Sequence, residues 1–304
     1  MVRDGERIIA AMPFWVTTQR EKASLSPPAL LSGVGLGPGR YIVASAQRAY
    51  TSQLLLADEA SADWAVPLMV DRLRDAARRI DAVGCLVIYA RGDQLSYYRH
   101  VVPERSPVLM DHDASIPVGG VDDPLPPGMS GHRRARIRRE EARFEAAGYR
   151  IGRERLADCL DDFARLAVNL ERRHGGDLDA DTLGGQLGVQ VKWCDDEAVV
   201  FTARRDERLA AACLCYVSAT SIVSRMYGFD DQLSGGSYEY FNLAYYLPLR
   251  YAAAHGLSAV EVGRQALDAK RLRGAVVHSL WAVDLSENPL WNEPPPVLHD
   301  GIRA

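Results

Sequence analysis

The chain has 304 residues, a formal net charge of -4 and 47% hydrophobic residues. That length suggests two domains or one large one, and the composition excludes a disordered, collagen-like or coiled-coil chain. The acidic total excludes a uniformly basic nucleic-acid coat, while leaving room for a local basic patch. The five cysteines (Cys85, Cys159, Cys194, Cys213 and Cys215) are odd in number and form no CxxC pair, so they predict neither a zinc site nor a disulfide framework. A reduced, cytoplasmic setting and core packing for Cys213 and Cys215 are expected. Met1 to Arg20 lacks the basic-then-apolar order of a signal peptide, and no apolar run of membrane-spanning length occurs.

The first 60 residues show little periodicity. The run Gly33-Val34-Gly35-Leu36-Gly37-Pro38-Gly39 lacks the following Lys-Ser/Thr of a phosphate loop and reads as loop. Trp64, Leu68, Leu73, Ala76 and Ile80 fall near a 3.6-residue period, predicting a helix over Ala62 to Ile80. Val83 to Tyr89 reads as a buried strand. Pro117 to Gly131 is rich in Gly, Pro and Asp and reads as a linker, with Ser130 as a cap for a helix from His132.

Beyond Tyr149 the pattern is clearer. A strand is expected at Tyr149 to Leu156, then helices at Ala157 to Arg173 (stopped by His174-Gly175-Gly176) and Asp179 to Trp193. Strands at Glu197 to Arg205, Leu209 to Val217 and Ser221 to Phe229 follow, the first two joined by a short turn at Asp206 to Arg208. A helix over Tyr238 to His255, a strand over Leu257 to Gly263, a short helix or loop over Leu267 to Arg273 and a strand over Ala275 to Asp284 complete the order. The segment Pro289 to Pro296 reads as loop. The result is an antiparallel meander followed by a β-α-β crossover.

Several stretches within this order resemble the Fem-type, double-GNAT acyltransferases. They are Arg225-Met-Tyr227-Gly228, Tyr238-Glu239-Tyr240-Phe-Asn242, Glu261-Val-Gly263-Arg-Gln265, Lys270-Arg271-Leu-Arg273-Gly274 and His278-Ser279. The basic segment Ser130 to Glu140 resembles the group's linker helix, and the resemblance spans about residues 129–285. It implies an α/β GNAT fold, with a mixed central sheet flanked by helices. Two tandem GNAT-like units follow from it: a degenerate one over 1–128, a recognisable one over 129–288, and a Pro-rich tail over 289–304.

The resemblance also implies a function. Fem-type enzymes form amides with aminoacyl-tRNA as co-substrate and no bound cofactor. The chain is expected to pass an aminoacyl group to the amine of a small, natural-product-type acceptor, without a membrane partner. Acyl-CoA is the alternative donor, and a non-catalytic RNA- or partner-binding module the alternative class. The loop after Ser221 to Phe229 matches the CoA diphosphate cradle only partly, through Gln232-Leu-Ser-Gly235-Gly236, and Asp230 and Asp231 repel a diphosphate.

Amide formation requires deprotonation of the amine, stabilisation of the carbonyl oxygen and positioning of both reactants. Glu239 can serve as base or ammonium holder, or as a first-turn carboxylate on the helix dipole. Glu261, an acid between valines, can act at the site or pair with Lys270 or Arg264. His278 can shuttle protons, and Lys270 can polarise the ester carbonyl. Tyr227, Tyr240, Asn242, Tyr246, Gln265 and Ser279 are candidate substrate contacts. Lys270, Arg271 and Arg273 are candidate phosphate contacts, as are Arg133, Arg134, Arg136, Arg139 and Arg143. Gly131 to Arg155 holds nine arginines against four glutamates, a basic island in an acidic chain.

Overall fold

The computed structural model describes residues 1–17, 25–47, 49–173 and 176–291. The expected helix stop at His174-Gly175 and the tail beyond Trp291 lie outside them. The chain forms two units. Among the described residues, one comprises 1–113 and 278–291; the other is Ala114–Val277.

The first unit opens with β1 (Val2–Asp4), β2 (Arg7–Ala11), β3 (Trp15–Val16), α1 (Pro27–Leu30), β4 (Tyr41–Ala44) and β5 (Leu55–Leu56). Strands β1, β2 and β5 form a small antiparallel sheet. These strands are two to five residues long, too short for alternation to register in the sequence. Helix α2 (Ala62–Arg79) then crosses over to β6 (Gly84–Arg91), which lies parallel to β4. The expected helix and buried strand are both present, and Val66, Val70 and Leu73 of α2 join Ile42 and Val87 in the core. The chain continues through α3 (Leu95–Arg99) to β7 (Val108–Pro117). Asp111, His112 and Asp113 interrupt the apolar pattern of β7 and mask it in the sequence.

The second unit follows the expected order closely. It contains α4 (Gly131–Glu145), β8 (Arg150–Glu154), α5 (Leu156–Arg173), α6 (Ala180–Cys194), β9 (Ala198–Arg205), β10 (Arg208–Val217) and β11 (Ser221–Phe229). Next come α7 (Glu239–Phe241), a π-helical turn at Asn242–Tyr246, α8 (Leu247–Ala254), β12 (Ala259–Gly263) and α9 (Leu267–Arg271). Strand β13 (Val276–Asp284) returns from His278 to the first unit, antiparallel to β6. Strands β8 to β11 form the expected antiparallel meander. The α7–α8 crossover then makes β12 parallel to β11, and Ala114 to Pro117 pair antiparallel with β12. The fold class is mixed α/β, as expected.

Local chemistry explains the details. Asp179 caps α6 by accepting from Thr182 N at 2.8 Å. Ser130 holds the cap position of α4 but makes no side-chain cap bond, contrary to expectation. Asp206 and Glu207 form a two-residue hairpin turn with φ of 49° and 63°. Such a turn favours glycine at its second position. Glu207→Gly is therefore expected to raise stability by roughly 0.5 kcal/mol, since the exposed Arg150–Glu207 pair contributes little. A chemical denaturation midpoint checks this. Cys213 and Cys215 are buried in the core, as expected.

Gly228 fixes how β11 meets α5. A Cβ there would stand 2.5 Å from Ala167 N and 2.6 Å from Leu166 C, so the strand crosses the helix backbone in direct contact. Gly228→Ala is expected to force the two apart, with a loss of about 1–3 kcal/mol, read as a lower denaturation midpoint.

Candidate active site

Strands β11 and β12 are paired only at their starts. Their register ends at Val223 opposite Glu261. Beyond that point β11 carries a bulge at Arg225 against β10, and β12 shifts register between Glu261 and Gly263. The two strands part into a wedge, with the α7–α8 helix running between their ends in sequence. Tyr227 lies on β11 and Glu261 on β12, at the edges of this wedge.

Phe229, Tyr227, Tyr240 and Tyr245 form a ladder of aromatic contacts with ring centroids 5.0 to 5.9 Å apart. Tyr240 is 38% exposed, and its hydroxyl lies 3.1 Å from that of buried Tyr245. Burial pushes the phenols of Tyr227 and Tyr245 well up, so both are protonated donors at neutral pH. Glu261 is half-buried on β12, opposite Val223 and Ser115. Gln265 is exposed just past the strand, where it and Ala266 adopt left-handed φ of 62° and 45°.

Glu239 is buried at the start of α7 (5% exposed). Its Oε1 accepts from the Tyr149 hydroxyl at 2.7 Å and from Gly235 N at 2.9 Å. Burial acts to raise this carboxyl's pKa. The N–H groups of Glu239, Ser237 and Gly235 and the Tyr149 hydroxyl outweigh it, holding the group below the usual carboxylate value. Such a carboxylate is a weak base, and its lone pairs already close the loop after β11. Gln232 N in that loop is likewise taken, by Asp230 Oδ1 at 2.8 Å. An open hollow of about 560 Å³ lies beside the loop, lined by Arg172, Arg173, Asp230, Asp231, Asn169 and Gln232. Arg173 pairs with Asp231 there and lies over the Phe229 ring.

A second network corrects other expectations. Glu140 of α4 is buried and pairs with Arg273, whose Nη2 lies 2.9 Å from both carboxylate oxygens. Tyr246 donates to Glu140 and accepts from Arg273 Nε at 2.8 Å. Arg273 also covers the Phe241 ring, 3.2 Å from its centroid. Arg273 and Tyr246 therefore staple three elements together and do not present themselves to phosphate or substrate. Asn242 is buried too, and its Nδ2 donates to Tyr238 O at 2.9 Å. Lys270 is 2% exposed, and its Nζ donates to Gly263 O at 2.9 Å and Arg264 O at 2.6 Å. It anchors the turn after β12, and such burial does not suit an ammonium that meets a phosphate or an ester carbonyl.

Of the arginines on α4, Arg133, Arg139 and Arg143 are exposed and Arg136 is half-buried. Arg134 instead staples the linker, donating to both Asp123 oxygens at 2.8 and 2.6 Å and to Met129 O at 3.1 Å. Arg271 is exposed beside Asp268 at 3.0 Å. His278 and Ser279 lie on β13 in the first unit, half-buried.

Glu140 and Tyr149 are organising residues to which sequence patterns gave no role, and Arg225 entered only as part of the resemblance. Glu140 had a legible signal: it falls between Ile137 and Phe144 on the buried stripe of α4. Tyr149 and the bulge at Arg225 had none, because their partners lie 90 residues away or on the neighbouring strand.

Among the described residues, no helix is long and apolar enough to cross a membrane. Residues 131–271 match the family model for an acetyltransferase (GNAT) domain. Residues 131–271 thus form a GNAT domain, which supports an acyltransferase activity. No curated protein matches the sequence at a significant level.

Solved structures share the fold. The C-terminal domain of an Agrobacterium fabrum protein assigned as a lysylphosphatidylglycerol synthetase is 12% identical, with a TM-score of 0.56 over 83% of this chain and 78% of that one. L-PGS from Bacillus licheniformis is 13% identical, with a TM-score of 0.53 over 85% and 87%. FemX is 10% identical, with a TM-score of 0.54 over 91% and 88%. The chain is consistent in fold with the Fem-type GNAT group.

Proposed function

We propose that the protein transfers an aminoacyl group from aminoacyl-tRNA to the amine of a small molecule. The observation that supports this most is the closed loop after β11. A CoA diphosphate needs free backbone N–H groups there. In this chain the carboxylate of Glu239 takes those of Gly235, Ser237 and its own residue. Asp231 pairs with Arg173 and Asp230 with Arg208, so the charges beside them are matched within the fold. The loop is thus internally neutralised, and an anionic donor finds its complement elsewhere, on the exposed Arg133, Arg139 and Arg143 of α4 and on Arg136. Arg271 extends the same role at the end of α9.

In the proposed reaction the acceptor nitrogen attacks the ester carbonyl carbon. A C–N bond forms, the C–O bond to the tRNA ribose breaks, and the amine proton passes to a base while the ribose oxygen is protonated. Glu261 is the proposed base or ammonium holder. Gln265 and Tyr240 are the proposed donors to substrate, and Tyr227 is the wall against which it packs. Glu239 acts as a positioning residue that holds the loop, and no covalent enzyme intermediate is invoked. The acyl-CoA reading is favoured by one observation, the description of the matched family as acetyltransferases.

Incubation with charged tRNA and a panel of amines tests the choice. Amide product that requires charged tRNA is expected, with salt weakening the reaction steeply. Product from acetyl-CoA alone, with tRNA inert, would overturn the reading.

A further inference from the structure

The first unit carries a groove that the transfer chemistry does not use. It is a hollow of about 390 Å³ between the start of β1, the segment from Met12 to Phe14, and helix α2. Ten residues line it: eight are apolar, two are arginines, and none is acidic. We propose that this groove binds a single-chain anionic amphiphile of the medium-chain carboxylate class. Its chain lies among Met12, Phe14, Leu68 and Leu73, and its head meets Arg3 and Arg72.

The spacing along α2 builds such a site. Trp64, Leu68 and Arg72 stand one turn apart, so one stripe of the helix runs from apolar to cationic. Leu68 is 41% exposed, and Phe14, which also lines the groove, is 53% exposed. Large apolar side chains facing one another around a hollow leave apolar surface in water that an alkyl chain would cover. Leu73 and Met69 form the buried floor.

The arginines supply the other half of the match. Arg3 donates to Met1 Sδ at 3.3 Å, a weak acceptor. Arg72 reaches Asp75 only at 3.9 Å, with 74% of its side chain exposed. Both guanidinium groups thus retain donors for a carboxylate head. The volume lies in the range of small-molecule sites, which are mostly apolar with a few polar groups that fix orientation.

Titration calorimetry of the full chain with octanoate, decanoate and dodecanoate tests the proposal. Saturable 1:1 binding is expected below the micellar range, tightening about fourfold for each added methylene. Leu68→Glu should abolish it. Arg72→Gln should weaken decanoate about threefold and leave decanol unchanged. Leu68 is partly exposed, so the variant should fold, which circular dichroism checks. Three results would overturn the proposal. One is absence of saturable binding, including binding to anionic vesicles alone. Another is binding indifferent to Leu68→Glu. The third is a dimer that Leu68→Glu converts to monomer, which would show that a second copy covers the groove.

Discussion

Replacing Glu140 with alanine is expected to cost about 3–5 kcal/mol of stability, the largest effect of any single substitution considered. The variant leaves the Arg273 guanidinium buried at 5% exposure with its bidentate partner removed. It also removes the acceptor of the Tyr246 hydroxyl. Glu140 lies on α4, Tyr246 on the π-helical turn and Arg273 just past α9, so one truncation loosens three elements. Denaturant unfolding reads the loss directly. Replacing both partners, Glu140→Leu with Arg273→Met, should recover much of it, because an apolar pair leaves no unmatched charge. A loss in the double variant as large as the sum of the single ones would show that the pair is not coupled.

Glu239→Ala is expected to change what the loop after β11 can bind. Without the carboxylate, the N–H groups of Ser237 and residue 239 lose their acceptor, and that of Gly235 keeps only the Tyr149 hydroxyl at 3.0 Å. Affinity for CoA should then rise about tenfold, the worth of one charge-assisted hydrogen bond. Glu239→Gln keeps an acceptor in place and should leave CoA affinity nearly unchanged. Unaltered CoA binding in the alanine variant would remove the main support for a donor other than CoA. The pH dependence rests on the same contacts. The folded carboxyl has a pKa below its unfolded value, so its contribution to stability is present above the unfolded pKa. That contribution is lost as pH falls through the folded value. The native protein should therefore weaken in acid more steeply than Glu239→Gln.

The second unit was legible in the sequence because its elements are long and periodic. Strand β11 runs over Ser221–Phe229 as expected, and α5 and α6 begin and end within one residue of expectation. Much of the first unit was not legible, since strands such as β3 and β5 have two residues each and are held by their neighbours. The candidate residues were legible by type, and their burial was not. Lys270 and Arg273 were expected to meet phosphate, but a charged residue in a sequence carries no mark of burial. Lys270 reads like Arg271, its exposed neighbour, yet its Nζ is spent on two carbonyls. The contrast arises from tertiary packing that sequence spacing does not contain.

The π-helical turn at Asn242–Tyr246 has a consequence for the length of the chain itself. All five of its residues are buried. A regular helix advances about 100° per residue, and a π turn holds one residue more than the regular spacing needs. Deleting Ala244 would restore an ordinary helix and rotate the residues before it by about that angle relative to α8. Tyr240 would swing away from Tyr245, Asn242 from the carbonyl of Glu140, and Glu239 from Tyr149. The surplus residue thus sets the phase between the start of the crossover helix and its end. A shorter and more regular helix would be the worse fit for this fold.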